Sequence, residues 1–269
     1  MKLPHQKYGR KLKTSDYIYN FFATITGLTI FNIQFIKEVF IPPYEISEIK
    51  KHMDELGVKT FGIVSITGII LGLVLTMQSQ PVMQRFGATD FLPAMVSISV
   101  IRELGPVITA LIFTGRVSSG IGAELGSMRV TEQIDAMEVS AVNPFKYLVV
   151  TRVIATTMIL PILTIYVVFI ALAGSFFAIV LVESMTLKYF VDSVINAIQF
   201  GDFIPGIGKT FVFGFITGLV GCYKGFTAEG GTEGVGRAST TAVVLSSLLI
   251  LIFDMVLVKI SLWLWPTLG

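Results

Sequence analysis

Two adjacent charged residues, Arg102 and Glu103, stand near the middle of an otherwise apolar stretch, residues 92–114. A charge at the centre of a bilayer costs at least about 2.5–3.5 kcal/mol on insertion scales, so it is normally paired, hydrated in a cavity or engaged by a ligand. Neighbouring residues on a helix point about 100° apart, so this pair cannot neutralise itself across one face. Each needs a partner on another helix, a water-filled cavity or a ligand headgroup. Two uses stay open: a polar patch in a substrate pathway, or ion pairs that lock a helix bundle. Gly105 and Pro106 follow within a turn and are expected to bend the helix and free a carbonyl, which suits a cavity wall. Gln80 either faces the same cavity or is an ordinary turn residue. Asp254 and Lys259 lie in a later apolar run. Lys259 can reach the nearer interface with its long stem, whereas Asp254 is deeper and should bond to a neighbouring helix.

The second informative stretch is residues 120–144. Glu124, Arg129, Glu132, Asp135 and Glu138 alternate with Leu125, Met128, Ile134, Met137 and Val139. That pattern fits one or two short amphipathic helices at the membrane surface. They are either a solvated loop or a docking segment that seats in the groove of a soluble partner.

Other chemistries lack their residues. Gly206-Ile207-Gly208-Lys209-Thr210 ends like a phosphate-binding loop, but that loop needs a glycine at the position held by Phe203. Gly230, Gly231, Gly234 and Gly236 lack the strand-turn-helix context of a nucleotide site. No nucleophile-base arrangement is present. His5, His52 and the single Cys222 give no metal-ligand spacing, so no metal site is expected. The net charge of +2 implies no nucleic-acid partner.

The elements that must position these residues are membrane helices. Of 269 residues, 53% are hydrophobic and 14% charged, against roughly 25% charged in ordinary soluble domains. About 20 apolar residues cross the ~30 Å hydrocarbon core as a helix. Five such runs occur, at residues 61–77, 92–114, 147–182, 204–223 and 242–265. Residues 16–40 are amphipathic and interrupted by Asn20, Thr24, Asn32 and Gln34, which predicts a helix lying in the membrane interface behind a basic arm. A poor sixth span is the other reading. Residues 45–59 read as a short aqueous connecting helix, 78–90 as a polar turn, 115–146 as lying outside any span, and 224–241 as a Gly-rich loop. Trp263 and Trp265 suit an interfacial belt. The chain thus divides at residues 57 and 58 into an arm-plus-connector and a five-span domain. Lys and Arg cluster on the side of the arm and of the loops after the second and fourth spans, which puts the N-terminus in the cytoplasm and the C-terminus outside. No cleavable signal peptide is evident.

These motifs carry a family resemblance. Arg102-Glu103-Leu104-Gly105-Pro106 resembles the second-span signature of MlaE-family permeases. The run from Glu124 through Gly126, Arg129, Thr131 and Glu132 to Asp135 and Met137, with Asn143-Pro144 and Arg152, is similar to that family's cytoplasmic motif. Gly225, Gly230, Gly231 and Gly234-Val235-Gly236-Arg237-Ala238 resemble its second cytoplasmic loop; Ser239 stands where the family typically has Thr. The match runs from about Phe61 onward.

The resemblance implies an all-α permease of the ABC class, without an ATP site of its own, that works as a homodimer. Its implied partners are a cytoplasmic ATPase holding ATP and Mg, an MCE-domain lipid-binding protein on the outer side, and in many systems a STAS-domain subunit. The implied cargo is phospholipid, moved between inner and outer membranes from a seat in the bacterial inner membrane. Arg102 and Glu103, with Gly105, Pro106 and Gln80, become its substrate pathway; Glu124, Met128, Arg129, Glu132, Asp135 and Glu138 become its ATPase-coupling segment. The other classes are a channel or secretion-pore component and a lipid-modifying membrane enzyme.

Overall fold

The computed structural model describes residues 14–42, 44–182 and 185–264, and every regular element among them is helical. The basic arm ahead of residue 14 and Trp265 lie outside the described residues. The chain packs as two units, Met1–Pro42 and Pro43–Gly269. The first contains helix α1 (Thr14–Val39), where the interfacial helix is expected. It is not among the helices long and apolar enough to cross a membrane.

The second unit is a bundle of five such helical segments, Ile46–Arg85, Thr89–Val130, Phe145–Leu181, Phe200–Phe226 and Gly231–Leu264. This is the expected all-α integral membrane architecture. In chain order its helices are α2 (Ile46–Arg85), α3 (Leu92–Ser99), α4 (Gly105–Val130), α5 (Gln133–Val139), α6 (Thr151–Val182), α7 (Leu187–Ala197), α8 (Phe200–Phe226) and α9 (Gly231–Leu264). π-helical turns at Val100–Leu104 and Phe145–Val150 lead into α4 and α6.

Several expected boundaries move outward. The connecting helix is continuous with the first span in α2, which passes unbroken through residues 57 and 58. The turn expected at residues 78–90 begins only after Arg85, because α2 runs through Pro81. A proline inside a membrane helix is tolerated where neighbours re-satisfy the freed backbone. The true stop is Gly87, in the left-handed region at φ 62°. Its N–H bonds to the Gln84 carbonyl and that of Ala88 to the Met83 carbonyl, the paired bonds of a Schellman motif. Likewise α4 continues to Val130, so residues 115–130 belong to a span extended into the surface. The Gly-rich loop shrinks to residues 227–230 between α8 and α9. Pro161 sits inside α6 without ending it.

Backbone proximity holds the bundle. The most extensive packing is of α2 on α6, and α8 lies against α4, α6 and α9. A Cβ on Gly72 would overlap the Ala171 carbonyl, and one on Gly174 the Ile69 backbone. Lipid tails are as apolar as Leu, so close backbone approach replaces the hydrophobic drive between membrane helices. Buried hydroxyl pairs add polar links: Thr76 with Ser175 at 2.7 Å, Thr114 with Thr217 at 2.6 Å and Ser118 with Ser246 at 3.1 Å. Each such bond is worth about 0.6 kcal/mol on average in a membrane. Ile66 and Ile70 of α2 and Leu248, Leu251 and Met255 of α9 stay exposed, as lipid-facing positions require.

Candidate functional site

Arg102 and Glu103 both lie in the π-helical turn Val100–Leu104. Such a turn inserts one residue into the helix and often marks a functional position. Sequence explains its location. Pro106 has no N–H to donate, and it stands in the first turn of α4, where that loss costs least. Gly105 is required because a Cβ there would press on the Val100 carbonyl. The interruption expected from Gly105-Pro106 therefore takes the form of a widened turn that carries two charges.

Both charges find partners on other helices. Arg102 Nε donates to Asp202 Oδ1. Asp202 is buried, and its other oxygen accepts the Gln199 N–H at 2.9 Å, capping the start of α8. Lys209 Nζ, also on α8, donates to Glu103 Oε2 at 2.6 Å and to Asp254 Oδ1 at 2.8 Å. Two cations and three carboxylates thus join the π turn, α8 and α9.

Exposure divides the network in a useful way. The side chains of Arg102 and Glu103 are 36% and 42% exposed, while those of Asp202 and Lys209 are only 6% and 5%. The buried members hold; the exposed members present. Arg102 spends its Nε on Asp202, which leaves the two terminal nitrogens of a partly exposed fork for other partners. That fork matches a phosphate or carboxylate in bidentate geometry.

Asp202 and Lys209 escaped the sequence reading, although their spacing signals them. Asp202, Gly206 and Lys209 follow one another at four and three residues, which aligns them on one face of α8. A Cβ on Gly206 would overlap the Ile101 carbonyl. This glycine lets α8 reach the π turn and brings Lys209 to Glu103. Lys209 therefore serves an ion-pair network. Asp254 bonds to a neighbouring helix as expected. Gln80 is buried on α2, and among the described residues its amide nitrogen has no hydrogen-bond partner. Among the described residues no hydrogen bond joins it to the network.

The expected coupling residues are divided between two elements. Glu124, Met128 and Arg129 occupy the last turns of α4, and Asp135 and Glu138 lie on α5. Glu132 links them in the left-handed region at φ 60°. Arg129 pairs with Asp135, which folds α5 back on the end of α4. Ile134 anchors α5 in the core, while Glu132, Asp135 and Glu138 stay exposed. Glu124 instead pairs with the buried Arg152 at 2.7 Å, tying α4 to α6. A second left-handed residue, Ala141 at φ 60°, closes α5. A shallow cleft beside this corner is lined by Arg129, Glu132, Asp135, Glu229 and Gly230.

Residues 49–260 match the family described as Permease MlaE. The chain belongs to the MlaE permease family. Curated relatives of this permease agree. It is 35% identical to a probable ABC transporter permease protein of Rickettsia typhi, over 89% of this chain and 93% of the relative. It is 41% identical to a probable ABC transporter permease protein of Synechocystis, over 75% of this chain and 77% of the relative. It is 34% identical to the chloroplastic protein trigalactosyldiacylglycerol 1 of Arabidopsis thaliana, over 77% of this chain and 59% of that protein. With five apolar helices long enough to span, this MlaE permease is a multi-pass membrane protein of transporter type.

Proposed function

We propose that the protein is the membrane subunit of an ABC transporter that moves phospholipid between inner and outer membranes, driven by a separate cytoplasmic ATPase. The observation that carries this reading is the partly exposed pair Arg102 and Glu103, bonded to buried Asp202 and Lys209 in an apolar bundle. A phospholipid headgroup fits what each has left after these pairings: phosphate oxygens for the terminal nitrogens of Arg102 and, where the headgroup has one, an ammonium for the second oxygen of Glu103. The bilayer already supplies acyl chains to the apolar helix faces around it. The name of the Arabidopsis relative is that of a glycolipid, in keeping with lipid cargo.

The rest of the assembly follows from the same reading. Two copies of the chain face each other, an ATPase pair holding ATP and Mg docks on α5 and the end of α4, and an MCE-domain protein receives or delivers lipid outside. A STAS-domain subunit completes the set in some systems. The membrane is the bacterial inner membrane, with the N-terminus cytoplasmic and the C-terminus periplasmic. ATP-driven closure of the partner pushes on the α4–α5 corner, the bundles rock, and the cavity that holds the lipid collapses.

The test is lipid transfer by the reconstituted complex. Arg102→Ala and Glu103→Ala are expected to assemble normally and to lose most ATP-dependent transfer. Intact transfer in both variants would remove the pathway assignment.

A further inference from the structure

A second charged cavity lies at the other end of the bundle, where α2, α4 and α6 meet. Its walls include His52, Glu55, Lys59, Thr60, Arg116, Glu124 and Arg152. Its volume is about 270 Å³, just under the ~300–1,000 Å³ of pockets that enclose whole small-molecule ligands. That size suits a headgroup better than an acyl chain.

The charges of this cavity do not balance internally. Arg152 is committed to Glu124 at 2.7 Å and to the Leu148 carbonyl at 3.0 Å. Lys59 is committed to Glu55. Arg116 alone has no carboxylate among the described residues; it makes one long bond, at 3.3 Å, to the Thr60 hydroxyl. Thr60 is fully buried and gives its own proton to the Leu56 carbonyl at 2.6 Å. Arg116 is half-buried and lines the cavity; a guanidinium carries five donors, and those not spent on Thr60 match an anion in charge-assisted hydrogen bonds.

The position of the cavity identifies the anion. Thr60 immediately precedes the apolar run 61–77, and Arg116 stands two residues past the apolar run 92–114. Both therefore sit where hydrocarbon gives way to headgroups. On the side that the excess of Lys and Arg makes cytoplasmic, that level is occupied by phosphodiesters.

We infer that this cavity binds a phosphate group, that of an anionic lipid of the cytoplasmic leaflet, with Arg116 as its principal contact and Arg152, Lys59 and His52 around it. The site is separate from the Arg102 network and does not depend on the identity of the transported cargo. A phosphate group from solution is the one other source with the same chemistry.

The test uses the full-length chain carrying Arg102→Gln, which removes the headgroup contact proposed at the other end. The chain is placed in phosphatidylcholine nanodiscs containing phosphatidylglycerol, and native mass spectrometry counts the phosphatidylglycerol retained. Adding Arg116→Gln is expected to weaken retention at least tenfold, the scale of losing a charge-assisted hydrogen bond. Retention that inorganic phosphate does not displace identifies the lipid. Displacement by inorganic phosphate, with phosphate binding that also needs Arg116, upholds the anion site and assigns it to a soluble phosphate. Equal phosphatidylglycerol retention and no phosphate binding with or without Arg116 overturns the site. If Arg116→Gln does not fold, Arg116→Lys keeps the charge but loses the fork, and unchanged retention in that variant overturns the arginine's role. Loss of retention here with Arg102-dependent transfer intact, or the reverse, separates this inference from the proposed function.

Discussion

Lys209 donates to Glu103 at 2.6 Å, and the same ammonium reaches Asp254 at 2.8 Å. One buried cation on α8 therefore holds two carboxylates, one on the π turn before α4 and one on α9. Removing one member of a buried ion pair costs about 3–5 kcal/mol because an uncompensated charge remains. Lys209→Met should fall near the low end, since Glu103 is partly exposed. A marked drop in melting temperature in detergent is expected, and adding Glu103→Gln and Asp254→Asn should restore much of it. A single variant as stable as the parent would show that the ammonium holds nothing.

Gly206 gives a sharper geometric test. A Cβ at this position would strike the Ile101 carbonyl, whereas one at Gly208 would meet open space. Gly206→Ala should push α8 from the π turn, weaken both Lys209–Glu103 and Arg102–Asp202, and cost about 1–3 kcal/mol, the range for overpacking. Gly208→Ala should leave stability and transfer unchanged. Thermal unfolding of the two variants side by side decides it; equal behaviour contradicts the close approach.

Helix α5 is bracketed by Glu132 and Ala141, two non-glycine residues held at φ 60°. The left-handed region costs an L-residue roughly 1–2 kcal/mol. Ala141→Gly is therefore expected to stabilise the protein by up to about 1 kcal/mol. A melting temperature at or below that of the parent would show that the strain is absorbed elsewhere.

The exposed acids of α5 carry the coupling prediction. Charge reversal at Glu132 or Asp135 should uncouple ATP hydrolysis from transfer or weaken ATPase binding; for Asp135 it also breaks the pair with Arg129. Hydrolysis coupled as in the parent, with ATPase binding unchanged, would remove α5 from the docking surface.

What the sequence revealed and what it hid follow from where each signal resides. Arg102 and Glu103 announce themselves because a charge in an apolar run is anomalous by itself. Their partners do not. Asp202 lies just ahead of a run and Lys209 near its start, so both read as ordinary surface charges until tertiary contact pairs them with residues about a hundred positions away. Only the alignment of Asp202, Gly206 and Lys209 on one helix face was visible locally. The spans were legible from hydropathy, but their ends were not. Gln78, Gln80 and Pro81 look like a turn, yet the helix ends where Gly87 supplies a left-handed cap. Polarity marks where a helix leaves the lipid, and capping geometry marks where it stops.

The proposed function requires a permease that holds phospholipid and is driven by a separate ATPase. Native mass spectrometry of the tagged chain, purified from its own cells in mild detergent, tests that most directly. Two copies of the chain are expected together with an ATPase pair and bound phospholipid, the lipid diminished by Arg102→Ala. A chain recovered repeatedly alone, without ATPase and without lipid, would contradict it.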